Sequence, residues 1–323
     1  MVDMNTLTAA SSIPEKVDWL AKRYWKFSRD ERLLESLKGL FVLDESGELT
    51  KEPVRDPLTK ETAGLMVLAP SGSGKTALLM RTIRATKVLS EAEDGRPGNT
   101  MFVTVPAEAT IKSLAELIAQ RAGYGGMSSK IRAHEAWAVA RHRLRLAGIS
   151  LLIIDEAHHL VRPGPGRDVP GAVQSLKHLL QGDAAVAVIL VGVSKLREAV
   201  MSDEETDRRF KKFFLPPIKE GSLDVDHFQR CVEWTAGLLG LKLAARDRLP
   251  ERVLFAEHGE LGRSVKLCKD IMELALRFRR ETVSLAEAEQ HYEGRYGPRE
   301  MSPFAPGNWD AVKAELETSR WGR

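Results

Sequence analysis

Two short stretches decide the fold of this chain: APSGSGKT, residues 69–76, and LLIIDE, residues 151–156. The first matches the phosphate-binding pattern G-x-x-x-x-G-K-[ST], except that Ala69 replaces the first glycine. An apolar run precedes it, and TALLMRTI continues it with helical spacing. A strand, a glycine-rich loop and a helix in this order predict a P-loop, in which backbone N–H groups and the helix N-terminus cradle the phosphates of a nucleotide.

The two stretches together predict a site for ATP and Mg²⁺. In such loops the lysine, here Lys75, reaches the β- and γ-phosphates, and the following hydroxyl ligates Mg²⁺. Residues 151–154 are all apolar, which indicates a central strand with Asp155 and Glu156 at its C-terminal end, beside the loop. We expect Asp155 to hold Mg²⁺ through water and Glu156 to polarise the attacking water. The predicted nucleotide contacts are Ser71, Gly72, Ser73, Gly74, Lys75, Thr76, Ala77 and Asp155, with Thr76 and Asp155 serving the metal and Lys75 and Glu156 serving catalysis.

Composition limits what else the chain can be. Its 323 residues are 43% hydrophobic and 29% charged, which is ordinary for a globular protein. The net charge of +3 is close to balance and does not itself point to nucleic acid. Cys231 and Cys268 lie far apart without CxxC spacing, which disfavours a disulfide scaffold or a zinc site. No signal peptide or membrane-spanning run is visible, so we expect a cytoplasmic protein without membrane contact.

The apolar pattern divides the chain into four parts. Residues 1–58 suggest short helices, either an extension that contacts a partner or another subunit, or a cap on the same domain. Residues 59–220 alternate uniformly apolar runs with helical stretches, which indicates a parallel sheet covered on both faces. Residues 221–290 predict a small all-helical domain, and residues 291–323 a Gly/Pro-rich tail with little structure. The side chains of this tail that could dock on another protein, with an inert tail as the alternative, are Pro303, Phe304, Pro306 and Trp309.

Three further positions are candidates for nucleotide contact. Ser194 follows the fourth apolar run, where many P-loop ATPases place a polar sensor of the γ-phosphate. One arginine of the pair Arg208 and Arg209 can act as a finger in a neighbouring subunit's site, with a solvated basic stretch as the alternative. Arg263, in GELGR (residues 259–263), can fold back onto the phosphates or belong to a plain capping loop.

Residues 155–158 spell DEAH, which invites comparison with helicases. A helicase of that kind needs a second RecA-like domain, which the helical remainder does not offer. His158 and His159 are adjacent rather than four apart, so we predict that they begin a helix rather than bind a metal.

A run of bases between two of the predicted strands favours contact with DNA. It contains six bases and one acid, Glu135, and can neutralise phosphates without reading sequence. A solvated basic helix face is the alternative. The bases are Arg121, Lys130, Arg132, Arg141, Arg143 and Arg145.

The order of P-loop, acidic pair, RRF and GxxGR resembles an AAA+ ATPase. The finer pattern is similar to the TniB/TnsC class of transposition ATPases, which includes relatives of MuB. This second resemblance rests on DEAHHL (155–160), VTVPAEATIKSL (103–114) and ILVGVSKL (189–196), and with the other motifs it covers roughly residues 60–280. Two departures are Ala69 in the P-loop and Val193 at a position where relatives often carry a polar sensor, a role that Ser194 can take.

The resemblance implies a fold, partners and site residues. The fold would be a three-layer α/β P-loop AAA+ core with a parallel sheet, followed by a small helical lid. Such proteins form homo-oligomeric rings or filaments on double-stranded DNA with ATP, mark a target site and recruit a transposase, in some cases with a target-selector protein. Arg209 would be the finger and Arg263 the lid arginine. The implied DNA contacts, joined by Arg132 from the basic run, are Lys112, Ser129 and Lys130.

Other functions remain compatible with the sequence. Another AAA+ activity, such as a helicase loader or a secretion-associated ATPase, would use the same nucleotide site. The second alternative is not an enzymatic function: the protein would be a scaffold controlled by nucleotide binding, and any ATP hydrolysis would be incidental. ATP-driven assembly on DNA separates these alternatives from a transposition regulator.

Overall fold

The computed structural model describes residues 7, 11–92, 98–128, 130–162, 168–182, 184–298, 300–319 and 321. The α-helices are, in chain order, α1 (Ile13–Lys22), α2 (Ser28–Lys38), α3 (Lys75–Ala85), α4 (Ile111–Arg121), α5 (Ala133–Leu146), α6 (Val169–His178), α7 (Ser194–Met201), α8 (Glu204–Asp207), α9 (Leu223–Leu239), α10 (Leu249–Ala256), α11 (Leu261–Arg277), α12 (Leu285–Tyr296) and α13 (Trp309–Thr318). The strands are β1 (Phe41–Leu43), β2 (Leu49–Pro53), β3 (Gly64–Leu68), β4 (Thr100–Thr104), β5 (Leu151–Asp155), β6 (Ala187–Gly192), β7 (Phe210–Phe214), β8 (Lys242–Leu243) and β9 (Thr282–Val283). None of these helices is long and apolar enough to cross a membrane.

The chain forms two compact units. The sheet unit comprises Arg29–Leu215, and the helical unit comprises Met1–Ser28 together with Pro216–Arg323. This grouping differs from the four parts suggested by the sequence. The first helix belongs with the C-terminal residues, and the segment expected to be a tail is part of the same unit.

The sheet unit is built on a five-stranded parallel sheet in the order β4-β5-β6-β3-β7. Every residue of β3, β5 and β6 is buried, as their uniformly apolar sequences predict. Successive side chains point to opposite faces, so Leu152 and Ile154 enter one apolar cluster while Leu151 and Ile153 enter another. The predicted three-layer α/β core is therefore confirmed.

A short antiparallel hairpin, β1 and β2, precedes the sheet in a region where the sequence suggested only helices. Its turn is closed by Asp44, whose Oδ1 accepts hydrogen bonds from the backbone N–H groups of Ser46 and Glu48. Phe41 and Leu49 are buried in one of the sheet's apolar clusters. The string DESG was the local signal for this turn, and the helical interpretation of residues 1–58 passed over it.

The helical unit packs α9 to α12 and α1 around a second core. In α11, residues Leu267, Ile271 and Ala275 are fully buried, which confirms the helical spacing seen in the sequence. Two strands of two residues each, β8 and β9, pair in parallel within this unit and were not predicted. Their shortness explains this, because two residues carry no periodic signal.

Within residues 291–323, the part that the structure describes includes the end of α12 and all of α13, so the expectation of a tail with little structure was wrong. Phe304 is 1% exposed and Trp309 3% exposed, and neither is available to dock on another protein. The fully buried guanidinium of Arg252 lies 4.9 Å from the ring centroid of Trp309. It also donates hydrogen bonds to three carbonyl oxygens of the segment before α13: Pro303, Ala305 and Gly307. These bonds replace the backbone partners that a Gly/Pro-rich segment cannot supply for itself.

Candidate nucleotide-binding site

The predicted P-loop connects β3 to α3. Gly72 (φ 78°) and Gly74 (φ 89°) both adopt the left-handed backbone region that other residues rarely enter. Gly74 caps α3, which begins at Lys75. The two glycines therefore curl the loop into a concave turn of backbone N–H groups at a helix N-terminus, the arrangement that binds phosphate.

Lys75 lies at the base of this loop and is 6% exposed. Its ammonium donates hydrogen bonds to the carbonyl oxygens of Ala69 (3.0 Å) and Pro70 (2.9 Å). Those acceptors are neutral, and a phosphate is a stronger acceptor for an ammonium group. The lysine is thus held beside the loop where it can transfer its hydrogen bonds to a bound nucleotide.

The two sequence motifs meet through Thr76 and Asp155. The Thr76 hydroxyl donates a 2.6 Å hydrogen bond to Oδ2 of Asp155, although the residues are 79 positions apart. Asp155 is 3% exposed and ends β5. A hydroxyl and a carboxylate oxygen in contact at the edge of a parallel sheet are ligands that Mg²⁺ prefers. These residues fit the predicted metal.

Glu156 follows in a strained backbone conformation, with φ at 55°. Its carboxylate lies 3.3 Å from Nδ1 of His158, whose pKa is lowered by burial. His159 contacts Val105 O through Nδ1 at 2.9 Å. The histidines lie in a short 3₁₀ helix, Ala157–His159. One side-chain nitrogen of His158, one of His159 and one carboxylate oxygen of Glu156 all lie within 4.8 Å of one another.

One contact to the P-loop comes from a residue that the sequence did not single out. Arg29, in the first turn of α2, donates from Nη1 to the carbonyl oxygen of Ser73 at 2.9 Å. It lies 44 residues before the loop in a segment assigned to an N-terminal extension. No sequence motif links Arg29 to the P-loop, so this contact could be identified only from the structure.

The remaining nucleotide candidates lie at two places. Ser194 is exposed at the start of α7, two residues beyond the end of β6. Because β6 lies between β3 and β5, this serine is at the same sheet edge as the P-loop and Asp155. Arg263 belongs to the helical unit, where its Nε is 3.3 Å from the Glu257 carboxylate. Its role toward phosphates stays a prediction.

The structure places Arg209, the expected arginine finger, in ion pairs within its own chain. The Arg209 side chain is 8% exposed, and its guanidinium donates from Nε and Nη2 to the Glu61 carboxylate at 2.7–3.1 Å. Nη1 contacts Glu205 at 3.0 Å, and Arg209 holds the pKa of Glu61 below its usual range. Arg208, the other arginine of the pair, is exposed. Arg209 is thus engaged within its own chain, whereas Arg208 is exposed to solvent.

The six bases of the predicted DNA-binding run do not form a single surface. Three of them donate to backbone carbonyl oxygens of the same unit: Arg121 to Phe102, Arg141 to His178, and Arg143 to Ala122 and Gly123. The other three, Lys130, Arg132 and Arg145, are exposed. The structure therefore divides the run into bases that hold the fold and bases that face solvent.

Helices α4 and α5 pack side by side and run in the same direction. Arg143, in the last turn of α5, reaches the carbonyl oxygens of Ala122 and Gly123, which follow the last turn of α4. The C-terminal ends of both helices therefore lie together, and so do their N-terminal ends. Since α4 follows the C-terminal end of β4, this shared end lies at the sheet edge that holds the P-loop. The bases at this end are Lys112, Lys130 and Arg132.

Two of the predicted DNA contacts, Lys112 and Ser129, are not among the exposed bases. Lys112 is half-buried, and its ammonium lies 3.7 Å from the Glu116 carboxylate. Ion pairs at the surface contribute little free energy, so this one is weak. Ser129 lies outside the described residues. The end of α4 and α5 thus presents two exposed bases and a third in a weak ion pair.

The strand order, the P-loop after β3 and the acidic pair at the end of β5 define the class: this is an AAA+ ATPase fold. The chain is similar to the Aeropyrum pernix ORC1 protein in complex with DNA (TM-score 0.56, 16% identity, 93% of this chain and 85% of that one). It is also similar to the Aeropyrum pernix ORC2 protein in ADPNP-ADP complexes (0.55, 16%, 85% and 70%) and to Drosophila ORC bound to DNA (0.51, 14%, 93% and 70%). At these identities the likeness concerns the fold alone.

The family is more specific. The family model described as "Bacterial TniB protein" matches residues 20–220, which is more than half of the chain, and the chain belongs to this family. The family resemblance drawn from the motifs is confirmed. No match was found among the curated proteins compared.

Proposed function

We propose that this protein is a Mg²⁺-dependent AAA+ ATPase that assembles on duplex DNA and regulates DNA transposition. The observation that carries the nucleotide chemistry is the 2.6 Å contact between Thr76 and Asp155, because it joins the P-loop and the acidic pair into one site. Membership of the TniB family supplies the context of transposition.

The chain's own residues divide the work of hydrolysis. The curled backbone of the P-loop binds the phosphates, and Lys75 transfers its hydrogen bonds from the loop carbonyls to the β- and γ-phosphates. Thr76 and Asp155 would hold Mg²⁺, which would supply charge neutralisation at the phosphates. Glu156 orients and polarises the attacking water, and Ser194 contacts the γ-phosphate from the end of β6.

An arginine from a neighbouring subunit completes the site. We assign this role to Arg208, which is exposed, in place of Arg209, which is bound by Glu61 and Glu205. A guanidinium at this point stabilises the charge that develops on the transferred phosphoryl group. The active form is accordingly a homo-oligomer, either a hexameric ring or a helical filament.

DNA binding rests on the bases at the shared end of α4 and α5. Lys130 and Arg132 are exposed there, and Lys112 lies at the same end in a surface ion pair with Glu116. Contacts of this kind neutralise backbone phosphates without reading bases, and Ser129 can add a hydroxyl donor. Two proteins of similar fold, Aeropyrum pernix ORC1 and Drosophila ORC, are described in complex with DNA or bound to it.

In this proposal ATP binding promotes assembly on DNA, and hydrolysis promotes disassembly. The DNA-bound oligomer marks the target site in the cytoplasm and recruits a transposase, with a target-selector protein as a further partner. Arg263 in the helical unit acts as the lid arginine that senses the nucleotide.

Electron microscopy of the purified chain with duplex DNA, with and without ATP, tests this function. We expect rings or filaments on the duplex only with ATP, and none with Lys75→Ala, which lacks the phosphate-binding ammonium. ATP-dependent oligomers that do not bind DNA would instead favour a protein-remodelling role or a scaffold. Robust DNA binding by Lys75→Ala would refute ATP gating.

A further inference from the structure

We propose that Arg29 is a positioning residue for the P-loop, one that sets nucleotide affinity without touching the nucleotide. The inference rests on the proposed nucleotide binding and adds to it a determinant that lies outside both sequence motifs. Its basis is the hydrogen bond from Arg29 Nη1 to the carbonyl oxygen of Ser73.

The geometry of one peptide unit explains how this bond acts. The carbonyl group of Ser73 and the N–H group of Gly74 belong to the same planar peptide, and in a trans peptide they point in opposite directions. A guanidinium that fixes the carbonyl on one side therefore fixes the N–H on the other. In the curled loop, that other side is where the phosphates bind.

The loop has few other means of fixing this peptide. Gly72 and Gly74 lie on either side of Ser73, and both adopt left-handed backbone angles that glycine also leaves easily. Ser73 is 2% exposed, yet its hydroxyl oxygen has no hydrogen-bond partner among the described residues. The hydrogen bond from Arg29 therefore connects a side chain outside the loop to Ser73, the most buried residue of the loop.

The charge of the arginine adds to the effect of the geometry. A guanidinium stays protonated throughout the physiological range, and a charge-assisted hydrogen bond is roughly twice as strong as a neutral one. Donation to the Ser73 carbonyl also polarises the peptide and makes its N–H a better donor. Both effects favour binding of an anion and act equally on ATP and ADP.

Arg32 provides a matched control on the same helix. It is also an arginine of α2 that donates to a backbone carbonyl, in this case Phe214 O at 3.4 Å, and its guanidinium lies 5.3 Å from the Phe213 ring centroid. These partners belong to β7 and not to the P-loop. If arginines of α2 merely anchored the helix, the two substitutions would behave alike.

The test is equilibrium binding of fluorescent ATP and ADP analogues to the full chain, with thermal unfolding recorded without nucleotide. We expect Arg29→Ala to weaken the binding of both nucleotides by about tenfold, since a hydrogen bond to a charged group contributes about 1.5 kcal/mol or more. Arg29→Lys should recover part of this loss, and Arg32→Ala should stay within about twofold of wild type. In steady-state hydrolysis KM should rise for Arg29→Ala, while kcat at saturating ATP should change by less than about threefold.

The possible results separate this inference from the proposed function. Equal nucleotide affinity for Arg29→Ala and Arg32→Ala would overturn the positioning role, and so would a kcat loss without a change in KM. If Arg29→Ala unfolds, Arg29→Lys decides, because reduced nucleotide affinity in a folded lysine variant supports the role and wild-type affinity overturns it. A wild-type chain that bound no nucleotide would overturn the proposed function itself.

Discussion

At the scale of single residues, Arg209 lies in an ion-pair network within its own chain. The family resemblance makes it a finger for a neighbouring subunit, whereas its guanidinium is bound by Glu61 and Glu205 of the same chain. Glu61 also accepts a hydrogen bond from Gln181 at 2.8 Å, so both partners of the main ion pair are held by further contacts. Removing one partner of such a pair leaves a partly buried carboxylate without its countercharge, which is destabilising.

We therefore predict that Arg209→Ala lowers the free energy of unfolding by about 2 kcal/mol at neutral pH, or the melting temperature by roughly 5 °C. Arg208→Ala, a neighbouring arginine that is exposed, should leave both unchanged. Chemical and thermal denaturation of the two variants measure this. Equal stability of Arg209→Ala and wild type would remove the structural role and return Arg209 to the list of finger candidates.

The same pair predicts a pH dependence. Arg209 lowers the pKa of Glu61 in the folded state, so its stabilising effect is fully present above the usual pKa of 4.5 and is lost as the pH falls through the lower folded value. The stability difference between wild type and Glu61→Gln should accordingly be large at about pH 7 and shrink toward about pH 4. A difference that stayed constant over this range would show that Glu61 acts through packing rather than charge.

At the scale of elements, the parallel course of α4 and α5 gives the DNA proposal its geometry. Both helices begin at the same end, and Lys130 and Arg132 are exposed there. Arg145 is equally exposed in the last turn of α5, which is the opposite end. Lys130 and Arg132 can therefore be tested for DNA binding, with Arg145 at the opposite end of the helices as the control.

We predict that Lys130→Ala and Arg132→Ala each weaken DNA binding and lower the slope of log K against log salt by about 1, the value for one phosphate contact. Arg145→Ala should leave affinity and slope unchanged. Fluorescence anisotropy with labelled duplexes at several salt concentrations, in the presence of ATP, measures both quantities. An equal loss for all three variants would indicate general charge attraction rather than a surface at one end of the helices.

The elements also show what the sequence could and could not predict. The buried strands β3, β5 and β6 were visible because they are short, continuous apolar runs, which are typical of strands buried on both faces, and the P-loop was visible because its residues are contiguous. Arg29, Glu61 and Arg252 were not, since each acts on residues more than forty positions away. Hydrogen bonds between distant segments leave no periodic trace in the chain.

At the scale of the whole molecule, the same limit explains the grouping of residues. The chain enters through the helical unit, forms the sheet unit and returns to the helical unit, so Met1–Ser28 and Pro216–Arg323 share one core. Division of the sequence into consecutive segments places the N-terminal and C-terminal residues in separate parts. Leu20 and Trp25 are buried with Phe228 and Val232, and this packing alone reveals that the ends belong together.

In the proposed oligomer, each catalytic site needs residues from two adjacent subunits, and this can be tested by mixing two inactive variants. Glu156→Gln keeps the shape of the side chain but cannot polarise water, so we expect it to lower kcat by about a hundredfold or more while still binding ATP. Arg208→Ala should also be inactive alone, because it offers no finger to its neighbour. In a mixed assembly, however, an Arg208→Ala subunit supplies an intact Glu156, and an adjacent Glu156→Gln subunit supplies an intact Arg208.

Random mixing of the two variants in equal amounts should place competent pairs at about a quarter of the interfaces and restore about a quarter of wild-type turnover. The measurement is ATP hydrolysis on duplex DNA across a series of mixing ratios, with a maximum expected at equal amounts. The control mixes Glu156→Gln with Lys75→Ala, which share the same defective side of the site and should not complement each other. If the two inactive variants fail to restore turnover although mixed assemblies form, Arg208 is not a finger in trans, and the catalytic site is complete within each subunit.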